Sequence, residues 1–173
     1  MQILEKVLNI AFTFLNNNDQ AVKVVCLRLI LICEPKIDLS NEGELIENII
    51  GFINEEETEN NLDNEIACNA ARFVKFIVLN NQELTSNFCQ LIIESTLKKL
   101  ENCEDNELAE NLAFILINLD PFYFENEELD ATISQSILNC FPIRVDHSLF
   151  ECCYDWLIKK LEVFPEEAKL IAF

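Results

Sequence analysis

Asp105-Asn106-Glu107-Leu108-Ala109-Glu110-Asn111-Leu112-Ala113-Phe114-Ile115-Leu116 is the stretch on which the fold turns. Its leucines fall three, seven and eleven residues after Asp105, the step that lines one face of an α-helix. The same phrase is written three more times. Asp19, Asp63, Asp105 and Asp146 stand 44, 42 and 41 residues apart. Three residues after each Asp comes Val22, Ile66, Leu108 or Leu149; seven after, Cys26, Ala70, Leu112 or Cys153; eleven after, Ile30, Val74, Leu116 or Leu157.

A self-similar period of about 40 to 47 residues built from helix pairs marks the HEAT and armadillo arrays, whose units cover their apolar faces by stacking. The sequence therefore predicts an all-α chain, an α-α superhelix of about four helical hairpins. Residues 1–16 read as a half repeat, 19–54, 63–100 and 105–141 as full repeats, and 146–173 as a last, truncated one. Two glycines and four prolines in 173 residues leave too little turn chemistry for a many-stranded sheet.

Within this plan helices are expected over 2–15, 20–33, 44–54, 64–79, 86–100, 106–119, 127–140 and 148–163, with Pro165 placed to start another. Val24 to Ile32 is rich enough in branched residues to suit a strand, and the in-register repeat decides for helix. Glu34-Pro35 and Asp120-Pro121 are read as shared helix stops, because proline lacks a donor and restricts the residue before it. Asp63 is expected to cap the helix that follows it, a contribution of about 1 kcal/mol.

The chain carries 31 acids against 12 bases, a formal charge of −19. Such a field repels nucleic acid and anionic lipid and attracts basic proteins, while any single glutamate in it is first of all a solubilising group. Five of the eight cysteines, Cys26, Cys68, Cys89, Cys140 and Cys153, sit inside apolar helical segments, where Cys behaves as a small hydrophobe. Reduced thiols and an intracellular protein are expected. Met1 to Leu15 carries Glu5 and lacks a basic leader with a cleavage site. Lys23 and Arg28 interrupt the most apolar stretch before it could span a bilayer.

No catalytic, cofactor-binding or metal-binding set emerges. The lone His147 sits at a helix start, Cys152 and Cys153 point apart around a helix, and two isolated glycines make no phosphate cradle. Enzymatic function is not expected. Trp156 occupies the offset of Leu29, Phe73 and Ile115, which makes it a core residue by default, with a peptide pocket as the sharper alternative.

The order of several weak matches resembles a known family. Asp105-Asn106-Glu107-Leu108-Ala109, Asn111 to Leu116, Asp120-Pro121, Phe141-Pro142-Ile143, Asp146 and Tyr154-Asp155-Trp156-Leu157 resemble the C-terminal HEAT repeats of importin-β family transport receptors, most of all the beta-3 type. Asp63-Asn64 with Ala67, Ala70 and Ala71 looks like the preceding repeat, and Cys33-Glu34-Pro35 like the turn of the one before. Phe141 and Arg144 depart from the family pattern. The resemblance spans about residues 20 to 165, and family members are about five times longer. It implies a C-terminal portion of a nucleocytoplasmic transport receptor, shuttling between cytoplasm and nucleus through the nuclear pore. The implied partners are basic cargo proteins with nuclear-localisation signals, with Ran GTPase and nucleoporins engaged by the full-length receptor. On this reading Glu44, Glu47, Glu94, Glu127 and Glu128, each on a second helix and off its apolar stripe, line a concave wall that holds the cargo. A generic α-solenoid scaffold is the alternative.

Overall fold

The structure, a computed structural model, describes residues 2–33, 39, 42–55, 62–123, 126–145 and 147–163. Among them are eight α-helices and no strand: α1 Gln2–Phe14, α2 Gln20–Cys33, α3 Gly43–Phe52, α4 Leu62–Asn80, α5 Gln82–Leu100, α6 Asn106–Tyr123, α7 Glu127–Leu138 and α8 Phe150–Val163. The repeated stripe is what they bury. Of its twelve positions all but the half-buried Val22 are shielded from solvent, Ile30, Ile66, Ala70, Val74, Leu108, Leu112, Leu116 and Cys153 completely. Each isoleucine, valine or leucine among them contributes about 1.5–3 kcal/mol by leaving water.

Several helix ends differ from expectation, each for a local reason. Pro121 does not stop α6, which continues to Tyr123. The proline removes the N–H that would meet the Ile117 carbonyl, but Tyr123 is buried and its hydroxyl donates to Leu116 O at 3.0 Å, tying the last turn down. Asp63 is not a cap. It lies inside the first turn of α4, buried, and its carboxylate accepts from the Gln20 side chain of α2. Asp105 does cap, accepting from Leu108 N at 2.8 Å. Helix α5 begins four residues early because the Asn81 side chain accepts from Leu84 N at 3.0 Å. Helix α7 ends at Leu138 rather than Cys140, and a short 3-10 turn, His147–Leu149, precedes α8. The expectations for Glu34-Pro35, Asp146 and Pro165 fall outside the described residues.

The chain divides into two compact units, 1–99 and 100–173. In the first, α1 packs on α2, α2 on α4 and α3 on α4, around a core that includes Leu27, Ile30, Ile46, Ile49, Ile50, Phe73 and Ile77. Polar links fasten α2 to its surroundings: Arg28 pairs with Glu65 of α4, and Lys23 pairs with Glu55 while its ammonium lies 4.8 Å from the Phe52 ring centre. Asn54 donates to Ser95 O of α5 at 3.0 Å.

The second unit is built on α6, whose residues Leu108 to Ile117, apart from Ala109, are buried. Helices α7 and α8 both pack on it. Lys160 of α8 joins all three helices, with its ammonium 2.6 Å from Asp130 of α7 and 3.6 Å from Asp120 of α6. Trp156 is buried, as expected from its repeat position.

One face of α2 stands apart. Val25, Leu29 and Ile32 occupy the offsets held by Asn69, Phe73 and Phe76 in α4. Asn69 and Phe73 are buried, whereas Val25 and Ile32 are 54% and 77% exposed. The repeat has written a packing face onto α2 that the described residues of this unit leave largely exposed.

Candidate functional site

The five carboxylates singled out from sequence are all exposed. Glu44 and Glu47 lie about one turn apart on α3, and Glu94 on α5 accepts from Gln90 at 2.9 Å. Glu127 and Glu128 stand with Asp130 in the first turn of α7, where negative charge complements the helix dipole. That placement gives them a structural use beside any binding one. The first three belong to one unit and the last two to the other.

Sequence reading passed over a sixth carboxylate, which proves the most constrained. Glu110 is only 2% exposed, on a helix otherwise packed with apolar side chains. Its carboxylate accepts from the backbone N–H of Arg144 and from that of Val145, at 3.0 and 3.1 Å for the latter. A chain segment after α7, with a cis Phe141-Pro142 peptide, is thereby pinned to α6. The signal was an acid inside the apolar run of α6, at an offset where the earlier repeats carry Val24 and Cys68.

Glu110 forms part of the wall of a cleft of about 460 Å³ in the second unit. The first turns of α6 contribute Asn106, Ala109 and Glu110; the end of α7 and the segment after it add Ser136, Cys140 and Phe141. Leu100, Glu101 and Arg144 complete its margins. Cys103 donates to Asp105 O and Cys140 to Ser136 O, each at 3.4 Å. The Cys140 thiol is pushed up to about 12, first by burial and then by the negative charge of Cys103 and Glu110. The folded chain therefore keeps this proton where the unfolded chain loses it. Stability is intact below about pH 9 and falls as pH rises toward about 12. Urea titrations stepped across that window are expected to show the decline in the native chain and a flatter profile in Cys140→Ala.

A second hollow, about 370 Å³, lies between α1 and α2 and is lined by Ile10, Phe14, Val22, Val25 and Leu29 with their small neighbours. It has no polar group to orient a ligand. Among the described residues no three His, Cys, Asp and Glu side chains converge as a metal site, none of the cysteines is in a disulfide, and no helix is long and apolar enough to cross a membrane.

Comparison with known protein families, with curated proteins and with solved structures finds no match. The functional reading therefore rests on the residues themselves.

Proposed function

We propose that the chain is a HEAT-type segment of a nuclear transport receptor, resembling the importin-β family, which binds basic cargo proteins through acidic second helices. Three features support the solenoid part of this reading. The apolar stripe is buried at the same offsets in successive repeats, first helices pack on first helices within each unit (α2 on α4, α6 on α8), and α2 carries a further face of the same kind. Cytoplasm and nucleus are the corresponding locations, and Ran GTPase and nucleoporins the corresponding partners of a full-length receptor.

One observation carries the binding part. Glu44, Glu47, Glu94, Glu127 and Glu128 are exposed on α3, α5 and α7, in a chain whose acids outnumber its bases 31 to 12. Exposed carboxylates within each unit add their fields and raise the local concentration of a lysine-rich peptide without demanding close geometry.

A labelled nuclear-localisation peptide followed by fluorescence anisotropy tests this. Binding is expected at low salt and should weaken steeply as ionic strength approaches 0.1 M, where the screening length falls to about 10 Å. Glu94→Lys with Glu128→Lys should weaken it by about tenfold. A peptide that binds neither protein, or both equally, would leave the generic scaffold as the better description.

A further inference from the structure

Eight cysteines are written into the chain, and the fold treats two of them differently from the rest. Cys26, Cys33, Cys68, Cys89, Cys152 and Cys153 lie within helices, three of them buried. Cys103 stands in the turn between α5 and α6, and Cys140 lies just beyond the end of α7. Both line the cleft of the second unit, and both are half-buried rather than sealed. Their thiols are engaged locally, Cys103 with Asp105 O and Cys140 with Ser136 O, each at 3.4 Å. A thiol is a weak donor, so little is given up when either turns toward the other. Backbone outside a helix also has the freedom to bring two sulfurs to bonding distance, where a helix would fix the direction of each Cβ. The two groups already sense one another, since negative charge on Cys103 helps to keep Cys140 protonated.

We propose that Cys103 and Cys140 form a redox-sensitive pair, which a hydroperoxide converts to a disulfide tying the α5–α6 turn to the segment after α7. Cys103, as thiolate, attacks the outer peroxide oxygen and becomes a sulfenic acid as the O–O bond breaks. The alkoxide or hydroxide that leaves takes up the proton Cys103 gave up, forming an alcohol or water. The Cys140 sulfur then displaces the sulfenic hydroxyl, which departs with the Cys140 proton as a second product water. Two thiols lose two electrons and the peroxide gains them. Cys140 is the resolving partner because burial and nearby negative charge hold its proton. Among the residues lining the cleft Arg144 is the one positive charge to favour a thiolate, with Glu101 and Glu110 against it. The bond encloses α6 and α7 in one loop, which restricts the unfolded chain and raises stability.

Hydrogen peroxide applied to the native full chain, followed by alkylation in urea and intact mass, tests the pair. The oxidised chain is expected to keep six of its eight thiols open to alkylation. Cleavage after glutamate places Cys103 and Cys140 on different peptides, and these should stay joined until dithiothreitol separates them. The urea midpoint should rise on oxidation and return on reduction. In Cys140→Ser, dimedone should label Cys103 as the trapped sulfenic acid. In Cys103→Ser the midpoint shift should be lost and Cys140 should go unlabelled. Oxidation of the chain in urea is the control for geometry, and it should scatter the links over other cysteines.

Oxidised native chain in which the Cys103 and Cys140 peptides remain separate, or are joined no more often than in urea, overturns the pair. A midpoint shift that survives in Cys103→Ser does the same. The peptide map is made on the native chain, so it decides the matter even where a variant fails to fold.

Discussion

Replacing Leu116 by alanine is expected to lower the free energy of unfolding by about 2–5 kcal/mol, the range for deleting a buried leucine whose surroundings relax only in part. Leu116 is fully buried at the third position of the repeated stripe, in the helix against which both α7 and α8 pack. A cavity there weakens the helix on which both neighbours pack. Urea denaturation should show a lower midpoint with little change in slope, and hydrogen exchange should accelerate in α7 and α8 as well as in α6. Leu112→Ala, one turn earlier and equally buried, should behave alike. The exposed Val25 provides the contrast, since its truncation should stay within about 0.5 kcal/mol. Exchange confined to α6, or a Leu116→Ala loss no larger than that of Val25→Ala, would show that the stripe is not what holds the second unit together.

This contrast marks how far the sequence could be read. The stripe that begins at each Asp was legible because burial on a helix has a fixed period, and one such face repeated at nearly constant spacing cannot be satisfied by strands. Trp156 and Phe73 lie in the core at a shared offset, while Leu29 at the same offset is only half-buried. What periodicity could not give was the occupant of each polar position. Asp63 and Asp105 hold the same repeat position, yet one reaches Gln20 on another helix and the other caps its own. The choice depends on which groups a neighbouring helix presents, and that is tertiary information. Pro121 misled for a related reason. The general cost of proline in a helix is local, while the Tyr123 hydroxyl bond and ring burial that offset it depend on the packed unit. The candidate acids were legible as exposed residues, and being exposed they gave no hint of mutual arrangement. Lys160, Asp120 and Asp130 likewise meet only because three helices converge.

Glu110 shows the same limit from the other side and supports the second large effect. Its Ala variant is expected to lose about 2–4 kcal/mol, because a carboxylate only 2% exposed is removed and the two backbone N–H groups that donate to it lose that acceptor. Charge-assisted bonds of this kind are about twice as strong as neutral ones. A leucine lost from the core leaves a void of similar cost but no freed donors, so the two variants should differ in where they loosen the chain. Glu110→Ala should raise hydrogen exchange first at Arg144 and Val145, with α6 itself still protected near its centre around Ile115. Glu110→Gln, which preserves an acceptor, should recover most of the lost stability while still lacking the charge. A Gln variant as unstable as the Ala variant would mean that the negative charge, and not the pinning of the segment after α7, is what the fold requires of this residue.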